Sequence, residues 1–149
     1  MVTSHDTHAV DQFVDTHVHF WDLRNDRGLT YAWLEPEAVN PELGAVHAVK
    51  SLVYDSEAFQ GETRFAGVSK VVHISAAKGT ADPVAETSWL QALADQTGLP
   101  QAIIGYTRLD GEDVAASLER HAASPNFRGV RDLAAASMLD SPSFLTGFA

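Results

Sequence analysis

The groups best able to do chemistry in this chain are two histidines set two residues apart in an apolar run. The run is Phe13-Val14-Asp15-Thr16-His17-Val18-His19-Phe20-Trp21-Asp22. Side chains alternate faces along a strand. The spacing therefore predicts that Asp15, His17 and His19 share one face while Val14, Val18 and Phe20 take the other. Two neutral imidazoles together near a strand end can hold a divalent cation or polarise a carbonyl. The same pair can also decorate a strand with no chemical role, and spacing alone does not choose between these.

Composition narrows the chemistry. The chain has 149 residues, no cysteine and a formal net charge of -10. Without thiolates, any metal must be held by imidazole and carboxylate groups. Ten basic residues are scattered with no polybasic run, which argues against nucleic acid and anionic membrane as partners. No apolar stretch approaches the roughly 18 residues that span a bilayer. Residues 1–12 form a polar leader with no apolar core, unlike a signal peptide. A cytoplasmic protein is the expectation, with a reducing compartment matching the lack of cysteine.

The elements that must position the histidines alternate in kind. Gln12 to Phe20 reads as the first strand. A long connection from Trp21 to Gly44 follows, with turn signals at Arg24–Gly28 and Asn40-Pro41 and apolar anchors at Tyr31, Trp33 and Leu34. A connection of that length is usually functional. Val49 to Tyr54 is a short extended piece, and Asp55 or Ser56 caps a helix from about Glu57 to Phe65. The second strand is Ser69 to Ala77. A helix from Pro83 to Thr97 follows, opened by Asp82 and stopped by Gly98. The third strand is Gln101 to Thr107, then a helix from Asp110 to about Ala123. The fourth strand is Asn126 to Leu133, and a last helix starts at Asp140-Ser141-Pro142. Four apolar strands separated by three helices predict a parallel α/β sheet with right-handed crossovers.

At His17-x-His19 and at Phe127-Arg128-Gly129-Val130-Arg131 the chain resembles the amidohydrolase superfamily, in its lactonase-like amidohydrolase 2 branch. Trp33-Leu34, Ser69-Lys70-Val71-Val72-His73 and Trp89-Leu90-Gln91-Ala92 support the likeness as a set. The resemblance implies a (β/α)8 TIM barrel with its chemistry at the C-terminal ends of the strands. His17 and His19 match the family's first-strand pair. They bind a cation in metal-using relatives and the lactone carbonyl in metal-free ones, so the implied cofactor is one divalent metal (zinc or manganese) or none. Arg128 and Arg131 match the region where a guanidinium clamps a substrate carboxylate or carbonyl. Residues three apart on a strand point to opposite faces, and Arg131, nearer the strand's C-terminal end, is preferred. His73 and Tyr106, toward the ends of the second and third strands, are further candidates for substrate contact, and Trp21 and Asp22 for the mouth of the pocket.

A closed barrel of this kind needs eight strands and typically ~250 residues, and this sequence supplies about four. The expectation is therefore the N-terminal half of such a barrel over residues 13–149, truncated after the fourth strand. The strands that carry the family's general base have no counterpart. The expected function is a hydrolase opening a lactone or related cyclic ester, acting on a small lactone or carboxylate substrate and incomplete alone. The rival is a non-enzymatic half-barrel subunit or interaction module that self-associates through its exposed sheet edges. A second enzymatic rival is a metal-dependent decarboxylase of the same superfamily.

Overall fold

The computed structural model describes residues 12–24, 27–39, 44, 46, 51–133 and 136–148. Nearly all of the polar leader, together with His47 and the start of the Val49–Tyr54 segment, lies outside these residues.

Four parallel strands form one sheet in the order β1-β4-β5-β6. They are β1 (Phe13–Val18), β4 (Val68–Ile74), β5 (Ala102–Gly105) and β6 (Phe127–Val130). Between β1 and β4 lie β2 (Trp21–Asp22) and β3 (Val53–Tyr54), which pair with each other antiparallel as a small ribbon. Helices α1 (Ser56–Thr63), α2 (Val84–Thr97) and α3 (Val114–Ala122) follow β3, β4 and β5 in turn, and α4 (Pro142–Phe148) closes the described chain. This is half of a (β/α)8 barrel. Each strand is followed by the connection that carries it back to a parallel neighbour, the alternation expected of βαβ units.

Local chemistry accounts for the helix ends. Asp55, rather than Ser56, caps α1, its carboxyl accepting the N–H groups of Glu57 at 3.0 Å and Ala58 at 3.2 Å. Asp82 does the same for Val84 at 3.1 Å ahead of α2. Gly98 ends α2 in the left-handed region, at φ 81°, with its N–H on the Ala94 carbonyl. The helices α1 and α3 are shorter than the sequence reading had them, and β6 stops at Val130, before Leu133.

The core lies between the sheet and the helices. Val18, Phe20, Phe59, Val71, Leu90, Leu99 and Ile103 form one buried cluster there, and each such side chain contributes on the order of 1.5–3 kcal/mol. The alternate strand residues Val72, Ile74 and Ile104 face the other way and are half-buried. A second cluster, including Trp21, Tyr31 and Leu34, anchors the long connection.

The pairing of β1 with β4 differs from a regular ladder. Asp15 lies opposite Val71 and Val18 opposite His73, so β1 spends three residues where β4 spends two. The strict alternation predicted for Asp15, His17 and His19 therefore does not hold across this bulge. The strand itself ends at Val18, leaving His19 just past its C-terminal end.

Candidate functional site

Each of the four parallel strands delivers the residue immediately after its last one to a common place. His19 follows β1, Ser75 follows β4, Tyr106 follows β5 and Arg131 follows β6. All four line a cavity of about 310 Å³ at the C-terminal end of the sheet, with Lys78 at its rim and Trp33 from the long connection as a wall. Neighbouring parallel strands run in the same direction, so the groups just beyond their C-terminal ends lie on one end of the sheet. Two larger clefts of about 590 Å³ lie elsewhere, one beside the Asp82–Arg120 ion pair and one beside Asp22, Arg24 and Arg27. Neither gathers groups from all four strand ends.

His19 is half-buried. Its Nδ1 lies 2.8 Å from the Ile74 carbonyl oxygen. A carbonyl only accepts, so Nδ1 carries the proton and Nε2 keeps its lone pair. Burial pushes the imidazole below its ordinary range, and the neighbouring His73, His17 and Arg131 act in the same direction against the carbonyl bond. At neutral pH His19 is therefore an uncharged ring with an acceptor nitrogen. Trp33 packs against it with ring centroids 5.7 Å apart, and the Trp33 indole N–H is fixed by the Ala76 carbonyl at 2.9 Å. His17 is exposed and meets His19 edge-on at 5.1 Å; it stands beside the cavity rather than in its lining.

Tyr106 is 9% exposed, and burial raises its phenol above the ordinary value. It is thus a protonated O–H donor near neutral pH. Arg131 is half-buried in the cavity lining, its backbone N–H held by the Gly105 carbonyl at 2.9 Å. Arg128 goes elsewhere: its guanidinium donates to the carbonyls of Pro125 and Phe127, both at 2.7 Å, on the exposed surface. Of the two arginines, Arg131 lines the cavity and Arg128 is outside its lining.

His73 does not reach the cavity. It is fully buried, its Nδ1 accepts the Phe20 N–H at 3.2 Å, and its Nε2 faces Glu86 Oε1 at 3.4 Å. Nor do Trp21 and Asp22 line the mouth. Trp21 stacks on Tyr54 at 4.9 Å and donates to the Ser51 carbonyl. Asp22 is 3% exposed and gripped by Arg24 and Arg27. The Arg24 hydrogen bond is the main cause that holds its carboxyl down at about 2, with Arg27 adding to it.

The sequence reading missed Lys78 and Glu86. Lys78 carried no motif and stands in a loop. Glu86 did carry a signal: with Leu90 and Ala94 it makes an i, i+4, i+8 series on the buried stripe of α2, a place where an acidic residue is unusual.

Among the described residues, no group of three or more histidine, cysteine, aspartate and glutamate side chains is gathered as for a metal ion. The His17–His19 pair offers two nitrogens, whereas a firmly held zinc or manganese takes about four ligands or more. The described residues therefore supply half of a site and do not by themselves fit a resident metal. No described helix is long and apolar enough to cross a membrane.

No protein-family model matches the chain. It is 33% identical over 118 residues to the uncharacterized protein y4mH of Sinorhizobium fredii (strain NBRC 101917 / NGR234), an alignment that covers 79% of this chain and 38% of that protein. Two crystal structures of an amidohydrolase from Burkholderia multivorans are similar in fold. The one with bound zinc has 24% identity and a TM-score of 0.65, and the one with bound HEPES has 22% identity and a TM-score of 0.66. Each comparison covers 92% of this chain and 44% of the solved chain. The chain thus spans less than half the length of the proteins it matches. What it shares with the solved amidohydrolase is the barrel architecture whose strand ends carry the cavity described above.

Proposed function

We propose that this chain carries the substrate-binding part of an amidohydrolase-type hydrolase that opens a small lactone or related cyclic ester, and that the cavity at the strand ends is its active site. The observation that carries this reading is the convergence of His19, Tyr106 and Arg131, one group from each of three strand ends, in a cavity sized for a small ligand. The barrel shared with the solved amidohydrolase supports it, since enzymes of this architecture work at that face.

In this reading the ester carbonyl faces Arg131 and Tyr106. Both are donors, and both would strengthen as negative charge grows on the carbonyl oxygen during attack by water. His19 presents a neutral acceptor nitrogen to the incoming water or to the ring. Its lowered basicity makes it a better orienting acceptor than a proton store. Water adds to the carbonyl carbon, the ring C–O bond breaks, and the products are a carboxylate and a hydroxyl. Trp33 supplies the flat wall for the ring. If a divalent metal takes part, as the zinc in the solved amidohydrolase suggests, His17 and His19 are the residues here that would hold it. Its other ligands would come from beyond the groups described. The base that removes the water's proton would also come from beyond them. A small organic acid or its lactone is the partner, and the cytoplasm the compartment.

The test is binding first and turnover second. The chain is titrated with five- and six-membered sugar lactones and their ring-opened acids by calorimetry or nuclear magnetic resonance. Arg131→Ala should weaken binding of the acid by about 10- to 100-fold, the worth of a charge-assisted hydrogen bond, while Arg128→Ala leaves it unchanged. Turnover by the chain alone should be slow or nil. An affinity indifferent to both Arg131→Ala and Tyr106→Phe would sink the assignment.

A second reading has its own observation. The outer edge of β1 pairs with nothing among the described residues, and Phe13 and Val14 on it are 49% and 46% exposed. An open apolar edge recruits other strands, so a half-barrel acting as an assembly module is the alternative. Concentration-dependent association abolished by a charge at Phe13 would favour it.

A further inference from the structure

We infer that Glu86 is the positioning residue of the cavity. From the first turn of α2 it holds the loop after β4, and through that loop it orients both His19 and Trp33. The inference rests on reading the cavity as the functional site, but its first readouts need no ligand.

Glu86 is 2% exposed. A carboxyl group on the buried stripe of a helix is costly unless it is hydrogen-bonded. Its bonds go to one place. Oε1 accepts the backbone N–H groups of Ala76 and Ala77, both at 2.9 Å, the two amides just beyond β4 that have left the sheet ladder. His73 adds a third approach. Its Nδ1 accepts from Phe20, so its Nε2 carries the proton and turns it toward the same oxygen at 3.4 Å.

What this loop does with its carbonyls gives Glu86 its role. The Ile74 carbonyl accepts from His19 Nδ1 and thereby selects the tautomer that leaves Nε2 open. The Ala76 carbonyl accepts the Trp33 indole N–H. The Ala77 carbonyl accepts the Thr80 hydroxyl, whose oxygen receives the Thr30 N–H from the long connection. Glu86 thus holds the amides of Ala76 and Ala77, while the carbonyls of Ile74 and Ala76 hold the cavity groups His19 and Trp33. The Ala77 N–H and the Ala76 carbonyl belong to one rigid peptide plane, so a shift of that amide moves the acceptor of Trp33 directly, while the Ile74 carbonyl that holds His19 is coupled to the Ala76 N–H through Ser75. Glu86 Oε2 and His73 Nε2 have no hydrogen-bond partner among the described residues. That tolerated cost is consistent with a buried acid retained for what its first oxygen holds.

A merely structural role would show in stability alone. The test therefore reads His19 and Trp33. The full chain is labelled with nitrogen-15, and the tautomer of His19 and the indole N–H resonance of Trp33 are recorded for wild type, Glu86→Gln and Glu86→Leu, with thermal melts beside them. Glu86→Gln keeps an oxygen able to accept both amides. It should hold His19 in the Nδ1–H form and leave the indole resonance in place. Glu86→Leu should give a mixed His19 tautomer and a shifted indole. Where a sugar acid or lactone binds wild type, Glu86→Leu should weaken it by about 10- to 100-fold, the scale of an ångström of misplacement. If Glu86→Leu does not fold, Glu86→Asp, with its carboxyl drawn back by one methylene, is read in the same way. A folded Glu86→Leu or Glu86→Asp variant with wild-type tautomer and indole signals would overturn the inference, as would a Glu86→Gln variant as disturbed as the leucine. Failure of every lactone to bind would count against the proposed activity while leaving these two signals to decide the role of Glu86.

Discussion

Replacing Gly105 with alanine tests how tightly the second layer behind the cavity is built. An ideal Cβ at Gly105 would lie 2.8 Å from Thr87 Oγ1, 2.9 Å from His121 Cε1 and 3.0 Å from His121 Nδ1, where ordinary contact begins at 3.4 Å. Both neighbours must retreat by about half an ångström, and neither can do so freely. Thr87 and His121 are fully buried and bonded to each other at 2.9 Å. His121 donates from Nε2 to the Tyr106 carbonyl at 3.1 Å and stacks on Phe127 at 5.0 Å. Overpacking of this kind costs about 1–3 kcal/mol, and breaking a bond between two buried polar groups adds about 1–3 kcal/mol. At roughly 2–4 °C per kcal/mol for a chain of this size, the melting temperature should fall by about 5–20 °C. Circular dichroism melts read this directly, with Gly129→Ala as the control. A Cβ there meets only Ile104 Cδ1 at 3.8 Å, so that variant should melt within about 2 °C of wild type or slightly above it. A Gly105→Ala protein melting with wild type would refute the claim that β5 needs a side-chain-free position against α2 and α3.

Stability should fall on acidification from pH 7.5 to pH 5. His19 and His121 are both held below the ordinary value of 6.5 by burial. In the window between each folded pKa and 6.5 the unfolded chain binds more protons. Stability therefore rises with pH through that window and is level above it. Asp22, held at about 2 by Arg24 and Arg27, contributes its stability throughout this range and does not mask the trend. Urea midpoints at the two pH values check it, and an unchanged or higher midpoint at pH 5 would contradict it. Zinc titrated into the chain should perturb the ring signals of His17 and His19 together and weakly, since two nitrogens are half a ligand set. His19→Ala should remove the response at His17, and a response surviving that change would place the ion elsewhere.

Much of the site was legible because it rests on short-range rules. Strand alternation allows at most one of Arg128 and Arg131 to face inward, and nearness to the strand's C-terminal end favours Arg131; Arg131 lines the cavity while Arg128 bonds the Pro125 carbonyl. The caps at Asp55 and Gly98 and the breaks between elements follow from side-chain hydrogen bonding and backbone freedom, which act within a few residues. The same locality explains the errors. Strict alternation failed at β1 because the bulge opposite β4 is a property of two strands, and β4 begins some fifty residues downstream. His73 has the spacing of a pocket residue, but it is fully buried with Glu86 of α2 against it.

By itself, then, the order of residues determined the kinds of element, their alternation into a parallel α/β sheet and the presence of a histidine pair at the end of the first strand, the half-barrel being what the family resemblance implied. Periodicity and capping are local, and they survive without knowledge of the rest of the chain. Which strand ends meet was decided only in three dimensions. The cavity exists because β1, β4, β5 and β6 lie side by side in one parallel sheet, and the working tautomer of His19 is set by a carbonyl 55 residues away. Interactions at that separation depend on closing the sheet, so no window of the sequence contains them.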